Sequence, residues 1–294
     1  MGQKYTRKET IEQIEEAAKD MSTFYTAACI NHAGTTYKDD GAMYYTEIIS
    51  EYLLEHYELF DQIQKIKRVN YKINSHNGTT PRETSNRKEE RIALALAQKK
   101  VLHPIGEVID YQVPLKSKQS DRVGKIDLMT FDESTGILRL IELKAPKSKE
   151  TLLRCVLEIY TYYKTVDMGE LLRSYGLHGK YSEVRICPLF FKGSTQDNEY
   201  NALVNHGNLV GLMNKMSNDV KVELLRFPFE NIEMVSPSTS YANGVASCVA
   251  PCTRGAIIII PTVKNSNAAP LDVEEVPDCD TETPANWKIE ILNY

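Results

Sequence analysis

The sequence predicts an α/β protein, a β-sheet core flanked by helices with a helical extension at the N-terminus. Three observations lead there. The first 66 residues carry apolar side chains spaced by three and four, the helical period. Between Val108 and Lys144 the period shortens to that of strands, and from Ser148 onward helical and strand-like stretches alternate. The length of 294 residues suits one large domain or two small ones at roughly 100–200 residues each. We divide the chain into a helical region over 1–73, a core over 74–235 and a loop-rich acidic extension over 236–294.

Taken in order, Thr6 to about Phe24 is expected to be helical through Ile11, Ile14, Ala17, Ala18 and Met21. After a polar break at Gly34–Gly41, a longer helix is expected from about Ala42 to Ile66, with the stripe Tyr45, Ile48, Ile49, Tyr52, Leu53, His56, Leu59, Phe60 and Ile63. Its glutamates lie largely off that stripe. His56 reads as a packed histidine, because no ligating partner is spaced to join it. Asn74–Asn86 is rich in Asn, Gly, Thr, Ser and Pro and reads as a loop. A third helix is expected from about Asn86 to Lys100, then strands over Val108–Leu115, Lys125–Phe131 and Ile137–Lys144, the last two joined by the turn Asp132–Gly136. A helix from about Ser148 to Val166, a strand over Val184–Phe191, a helix over Tyr200–Met216 and a strand over Val220–Phe227 complete the core. Ser236–Gly255 and Asn265–Asn286 read as loop and acidic tail, and Trp287–Leu292 as a strand of unassigned position.

The net charge of −5 conceals a strong polarity. Residues 1–64 hold 5 basic and 12 acidic side chains, residues 65–100 hold 10 and 3, residues 101–263 hold 18 of each, and residues 264–294 hold 2 and 7. The basic segment is a candidate phosphate-facing strip. The six cysteines and six histidines form no zinc-like spacing. The polar start, Gly2 to Thr10, predicts no secretory leader, and the longest aliphatic block, Ala256–Ile260, is far short of the ~20 residues of a membrane helix. The expectation is a reduced, cytoplasmic protein with no membrane partner.

The chemistry concentrates in two strands. Glu142 and Lys144 share one face of a strand with Leu138 and Leu140, while Ile137, Ile141 and Leu143 take the other. Buried charges of this kind need partners or a metal. Pairing Asp132 with Ile137 across the turn sets Asp127 opposite Glu142. Two facing carboxylates with a lysine alongside suit Mg²⁺, with Mn²⁺ as a substitute. On the following helix Glu158 and Tyr162 are four apart and share a face.

Asp127, then after fourteen residues Glu142-Leu143-Lys144, resembles the signature of the PD-(D/E)XK nuclease superfamily, although Ile126 stands where the proline of the name would be. Glu158-Ile159-Tyr160-Thr161-Tyr162 resembles the Gln-x-x-x-Tyr helix motif of its RecB-like branch, with glutamate for glutamine. Lys88-Glu89-Glu90-Arg91-Ile92-Ala93 fits the glutamate-bearing helix that precedes the strands. Glu90 is favoured there because Ala93 completes a Glu-x-x-Ala pattern, and Glu89 stays open. The resemblance spans residues 86–191. It implies a restriction-endonuclease-like fold with a mixed β-sheet, a Mg²⁺-dependent nuclease acting on nucleic acid, with DNA as the expected substrate, with Asp127, Glu142 and Glu90 as metal ligands and Lys144, Glu158 and Tyr162 completing the catalytic set. Arg87, Lys88, Arg91, Lys125 and Lys147 are the candidate nucleic-acid contacts. The alternative is a non-catalytic nucleic-acid-binding or protein-interaction module on the same fold, with a homodimer or protein partner engaged through the N-terminal helices.

Overall fold

The computed structural model describes residues 4–38, 41–72, 88–117, 123–230, 232–235, 256–259 and 289–294. Helix α1 (Arg7–Ala17) begins at Thr6, whose hydroxyl accepts from the Glu9 amide while the Glu9 carboxylate accepts from the Thr6 amide, a reciprocal cap of the first turn. Two 3₁₀ turns follow, Phe24–Thr26 and Ala28–Asn31. Helix α2 spans Tyr45–Glu55 and is shorter than its periodicity predicts. It stops at His56, whose ring stacks on Tyr52 and bonds the Tyr52 carbonyl at 2.9 Å. The chain continues as a 3₁₀ stretch, Tyr57–Gln62, which turns Tyr57 and Phe60 onto Tyr160. The apolar stripe of α2 is covered within the chain. Tyr45, Ile48, Ile49 and Leu53 are buried, with α1 and α7 (Gly207–Met216) packed on α2.

After α3 (Lys88–Lys99) come β1 (Val101–Leu102), β2 (Gly106–Pro114), β3 (Lys125–Asp132) and β4 (Ile137–Leu143), each antiparallel to the one before. The β3–β4 turn is local chemistry. Asp132 accepts hydrogen bonds from Ser134 and Thr135, and Gly136 takes the positive φ of 69° that closes it. Pairing runs from Asp132↔Ile137 to Leu128↔Ile141, the register expected from the sequence. Helices α4 (Leu152–Thr165) and α5 (Met168–Ser174) then carry the chain to β5 (Glu183–Phe191), parallel to β4. The helix expected over Tyr200–Met216 is two, α6 (Thr195–Asn201) and α7, separated by a 3₁₀ turn and a bend at His206. The amides of Asn208 and Leu209 at the start of α7 are capped by Glu47 of α2 (2.8 and 3.0 Å). The last expected strand is likewise two, β6 (Lys221–Val222) beside β5 and β7 (Leu224–Phe227) parallel to β5. A short pair, β8 (Ile232–Val235) with β9 (Ala256–Ile259), lies outside the main sheet. Finally β10 (Glu290–Leu292) adds antiparallel to β7, which gives the C-terminal strand its position.

The result is a mixed α/β fold whose main sheet runs β1-β2-β3-β4-β5-β7-β10, with helices on both faces. Every residue of β4 is buried. Leu138 and Leu140 join the cluster built with α4 and the N-terminal helices, whereas Ile141 and Leu143 pack with Ile92, Ala93 and Leu96 of α3. Arg139, also buried in β4, is neutralised by Glu223 at 2.6 Å, and Glu223 also pairs with Arg185. Among the described residues no helix is long and apolar enough to cross a membrane.

Candidate functional site

The end of β4 delivers Glu142 and Lys144 toward α4, and α4 presents Glu158 and Tyr162 back to them. Lys144 Nζ donates to Glu142 Oε1 at 2.8 Å and to Glu158 Oε2 at 2.9 Å, and Glu150 Oε2 lies 2.7 Å away. Tyr162 donates to Glu158 Oε1 at 2.8 Å. Asp127, on the neighbouring strand, accepts from Gln112 Nε2 at 2.6 Å and from the Leu143 amide at 3.0 Å. The five residues singled out on β3, β4 and α4 thus converge on one spot, with the β3–β4 register carrying Asp127 to its place opposite Glu142.

The helix glutamate brought there is Glu89, not the favoured Glu90. Glu89 Oε1 accepts from the Ala145 amide at 3.1 Å, just past β4, and its charge is felt by Asp127. Glu90 acts instead on Tyr111 of β2. The reason is helical phase. Glu89 precedes Ile92, Ala93 and Leu96 by three, four and seven residues, and those are the side chains that pack α3 on the sheet. Among the proposed nucleic-acid contacts, Lys88 and Lys147 are exposed and Arg91 and Lys125 half-buried, while Arg87 lies outside the described residues, as do the predicted 74–86 loop and the acidic tail.

Besides Glu150, two neighbours escaped the sequence reading. Tyr25, from the first 3₁₀ turn, places its hydroxyl 3.3 Å from that of Tyr162, and nothing in its local pattern marks it. Gln112 sits at a positive φ of 49° in β2, where strand periodicity is broken by the bulge between Val108 and Asp110. Gly124 is also required. A Cβ there would lie 2.1 Å from the Tyr162 hydroxyl and 2.8 Å from its ring.

The charges are out of balance. Burial, and then repulsion from Glu89 and Glu158, push the Asp127 carboxyl up to about 7, against the pull of the Leu143 amide and Lys144. Burial, with repulsion from Asp127 and Glu158, raises Glu142 well above the carboxylate range. Burial works the same way on Glu158, but Lys144 and the Tyr162 hydroxyl outweigh it and hold that group low. Lys144 loses solvation too, yet the surrounding carboxylates keep its ammonium firmly protonated. Five carboxylates therefore surround one ammonium, with Arg154 offsetting part of the charge of Glu150.

That surplus decides which ions the site suits. No group of three or more His, Cys, Asp or Glu side chains is arranged to hold a metal among the described residues. Mg²⁺, however, is commonly held by only one or two carboxylates and completed by waters and phosphate oxygens. Asp127 and Glu142, both raised by burial and then by the neighbouring carboxylates, fit that donor set, and a cation beside them would lower both. A separate cavity of about 830 Å³ opens at the other end of β5, lined by residues such as Glu183, Arg185, Lys221 and Tyr294. It includes none of the residues gathered around Lys144, and its acids are already paired, Glu183 and Glu223 with Arg185 and Asp219 with Lys164. In comparisons with known proteins, no protein-family model, no curated protein and no solved structure matches the chain.

Proposed function

We propose that this chain is a Mg²⁺-dependent phosphodiesterase acting on nucleic acid, DNA by preference, built on a restriction-endonuclease-like core of the PD-(D/E)XK type. The observation that carries the reading is a buried ammonium, Lys144, held between Glu142 and Glu158, beside a second raised carboxylate, Asp127, on the adjacent strand. Carboxyls raised this far by burial and by one another, gathered around one ammonium, are the kind of shifted group that clusters at functional sites. Asp127 and Glu142 are the proposed metal donors, and Glu89 supports the backbone at Ala145. Asp127 and Glu142 would hold Mg²⁺, which when bound would supply a water that is nucleophilic near neutral pH and charge to offset the phosphate. Lys144 orients the attacking water and stabilises negative charge developing on the phosphoryl oxygens. Glu158 and Tyr162 hold the Lys144 ammonium in position.

The basic segment supports nucleic acid as the substrate. Arg68 bonds the Lys116 carbonyl at the open end of the β2–β3 pair, so this basic stretch approaches the strand end that begins with Lys125. Lys65, Lys67 and Lys72 on it are exposed, as phosphate contacts must be. Cleavage of plasmid and oligonucleotide DNA with Mg²⁺ or Mn²⁺ tests the reading. The wild type is expected to cut, and Asp127→Ala and Lys144→Ala to lose at least about a hundredfold in rate, the scale of one electrostatic catalytic group. Cleavage unchanged in both variants overturns the assignment, and DNA binding without cleavage in the wild type makes the chain a binding module.

A further inference from the structure

Glu150 stands in the linker between β4 and α4, in none of the motifs discussed above, yet its carboxylate is the meeting point of two cations. Lys144 Nζ lies 2.7 Å from Oε2, and Arg154 Nε lies 3.0 Å from Oε1. Neither Glu150 Oε2 nor Arg154 Nε makes an aligned hydrogen bond, although both atoms are buried. The contact is thus one of charge, with the Nε–H of the guanidinium not aligned on an acceptor. The rest of the residue is firmly placed. The Glu150 amide donates to Ser148 Oγ at 3.3 Å and its carbonyl accepts from Gln196 Nε2 at 2.5 Å. Only the side chain is at liberty to leave, and at 28% exposure it lies at the mouth of the site, next to the 20% exposed Arg154.

Two cations that converge on one carboxylate form a cradle for any small oxyanion with two oxygens to offer. Resting on the nuclease reading above, we propose that Arg154 is a second phosphate-binding residue and that the Glu150 carboxylate holds the phosphate position in the free protein. A phosphodiester entering the site displaces Glu150 by a side-chain rotation, and Lys144 and Arg154 pass from the carboxylate to the phosphate oxygens. Glu150 is an internal competitor that sets the affinity for substrate, and it keeps the two cations together in the absence of substrate.

The test is a double-mutant cycle of Glu150→Gln and Arg154→Gln, with oligonucleotide binding measured in EDTA and KM for cleavage measured in Mg²⁺. Arg154→Lys serves as a second variant that keeps the charge if Arg154→Gln fails to fold. Glu150→Gln is expected to tighten binding and lower KM by about tenfold to a hundredfold, the range of one charged hydrogen-bonding partner. Arg154→Gln is expected to weaken binding by a similar factor. In the Arg154→Gln background the gain from Glu150→Gln should largely vanish, because the cradle is gone. If that gain persists in full, Glu150 acts only through its general negative field, and the proposal is overturned. Cleavage that depends on Asp127 but is indifferent to both substitutions removes the internal competitor and leaves the nuclease reading intact. A wild type that neither binds nor cleaves removes both.

Discussion

Removing the charge of Asp127 should stabilise the metal-free protein, and more so as pH rises. The carboxyl sits at about 7 against an ordinary 3.8. A carboxyl raised on folding binds protons more tightly in the folded state, so stability falls as pH climbs from the unfolded value through the folded one. At 1.36 kcal/mol per unit, a difference of about 3 units amounts to about 4 kcal/mol above pH 7. Between about pH 5 and pH 8.5, about 2.7 kcal/mol of that penalty develops. Asp127→Asn escapes the penalty but keeps only one of two acceptor oxygens, so either Gln112 Nε2 or the Leu143 amide loses its partner at a cost of about 1–2 kcal/mol at every pH. The expectation for urea unfolding in EDTA is near-equal stability close to pH 5 and a variant about 2–3 kcal/mol more stable close to pH 8.5. Mn²⁺ should raise the stability of the wild type at the higher pH and leave that of the variant unchanged. A stability difference that stays flat across this range would refute the reasoning, since it would mean that the Asp127 carboxylate is ionised at no cost.

Two further substitutions probe the frame around the site. Gly124→Ala should drive the Tyr162 hydroxyl off Glu158, costing about 1–3 kcal/mol by overpacking. Adding Tyr162→Phe should recover part of the melting temperature, and a double variant no better than the single would contradict the stated clash. Glu223→Ala strands the buried Arg139 guanidinium and should cost about 3–5 kcal/mol, with Arg139→Met restoring much of it. Burial opposes the Glu223 charge, but Arg139 and Arg185 hold its carboxyl low. Its contribution is therefore present above the unfolded value of 4.5 and lost as pH falls through the lower folded one, a pattern that acid unfolding of wild type and variant would reveal.

The parts of this molecule that could be read from sequence are those set by short-range chemistry. Asp132, Ser134, Thr135 and Gly136 close a turn by themselves, and once that turn is fixed the pairing of β3 with β4 follows residue by residue. Asp127, Glu142 and Lys144 then fall where alternation requires, and Glu158 and Tyr162 follow from one helical repeat. Glu89 was readable as well, because it leads the buried stripe of α3, but a sequence pattern ending on Ala93 drew attention to its neighbour. Tyr25, Gln112 and Glu150 were not readable, and Arg154 was readable only as one of several basic residues around the site. Glu150 and Arg154, four apart, look like any solvent-facing helix pair, and only the packing of α4 against β4 brings Lys144 to the Glu150 carboxylate. The breaks at His56 and His206 follow the same logic. Neither residue stops a helix on its own, and each bend belongs to packing between distant parts of the chain, of Tyr57 and Phe60 on Tyr160 or of α7 on Glu47.

The first turn of α4 is anchored from far away. The Thr151 amide donates to Asn31 Oδ1 at 2.8 Å and its hydroxyl to the Ile30 carbonyl at 2.9 Å, spanning 120 and 121 residues. Contacts that close such long loops come late in folding, after the entropy of bringing distant segments together has been met. The β3–β4 hairpin needs only its own turn, so Asp127 and Glu142 meet early, and Lys144 reaches Glu158 across only 14 residues, whereas Tyr162 gains Tyr25 only when the N-terminal segment docks. During synthesis the acidic pair therefore exists for a time without its full cage. A nascent chain that binds divalent metal before it has acquired its final melting behaviour would be the visible trace of that order.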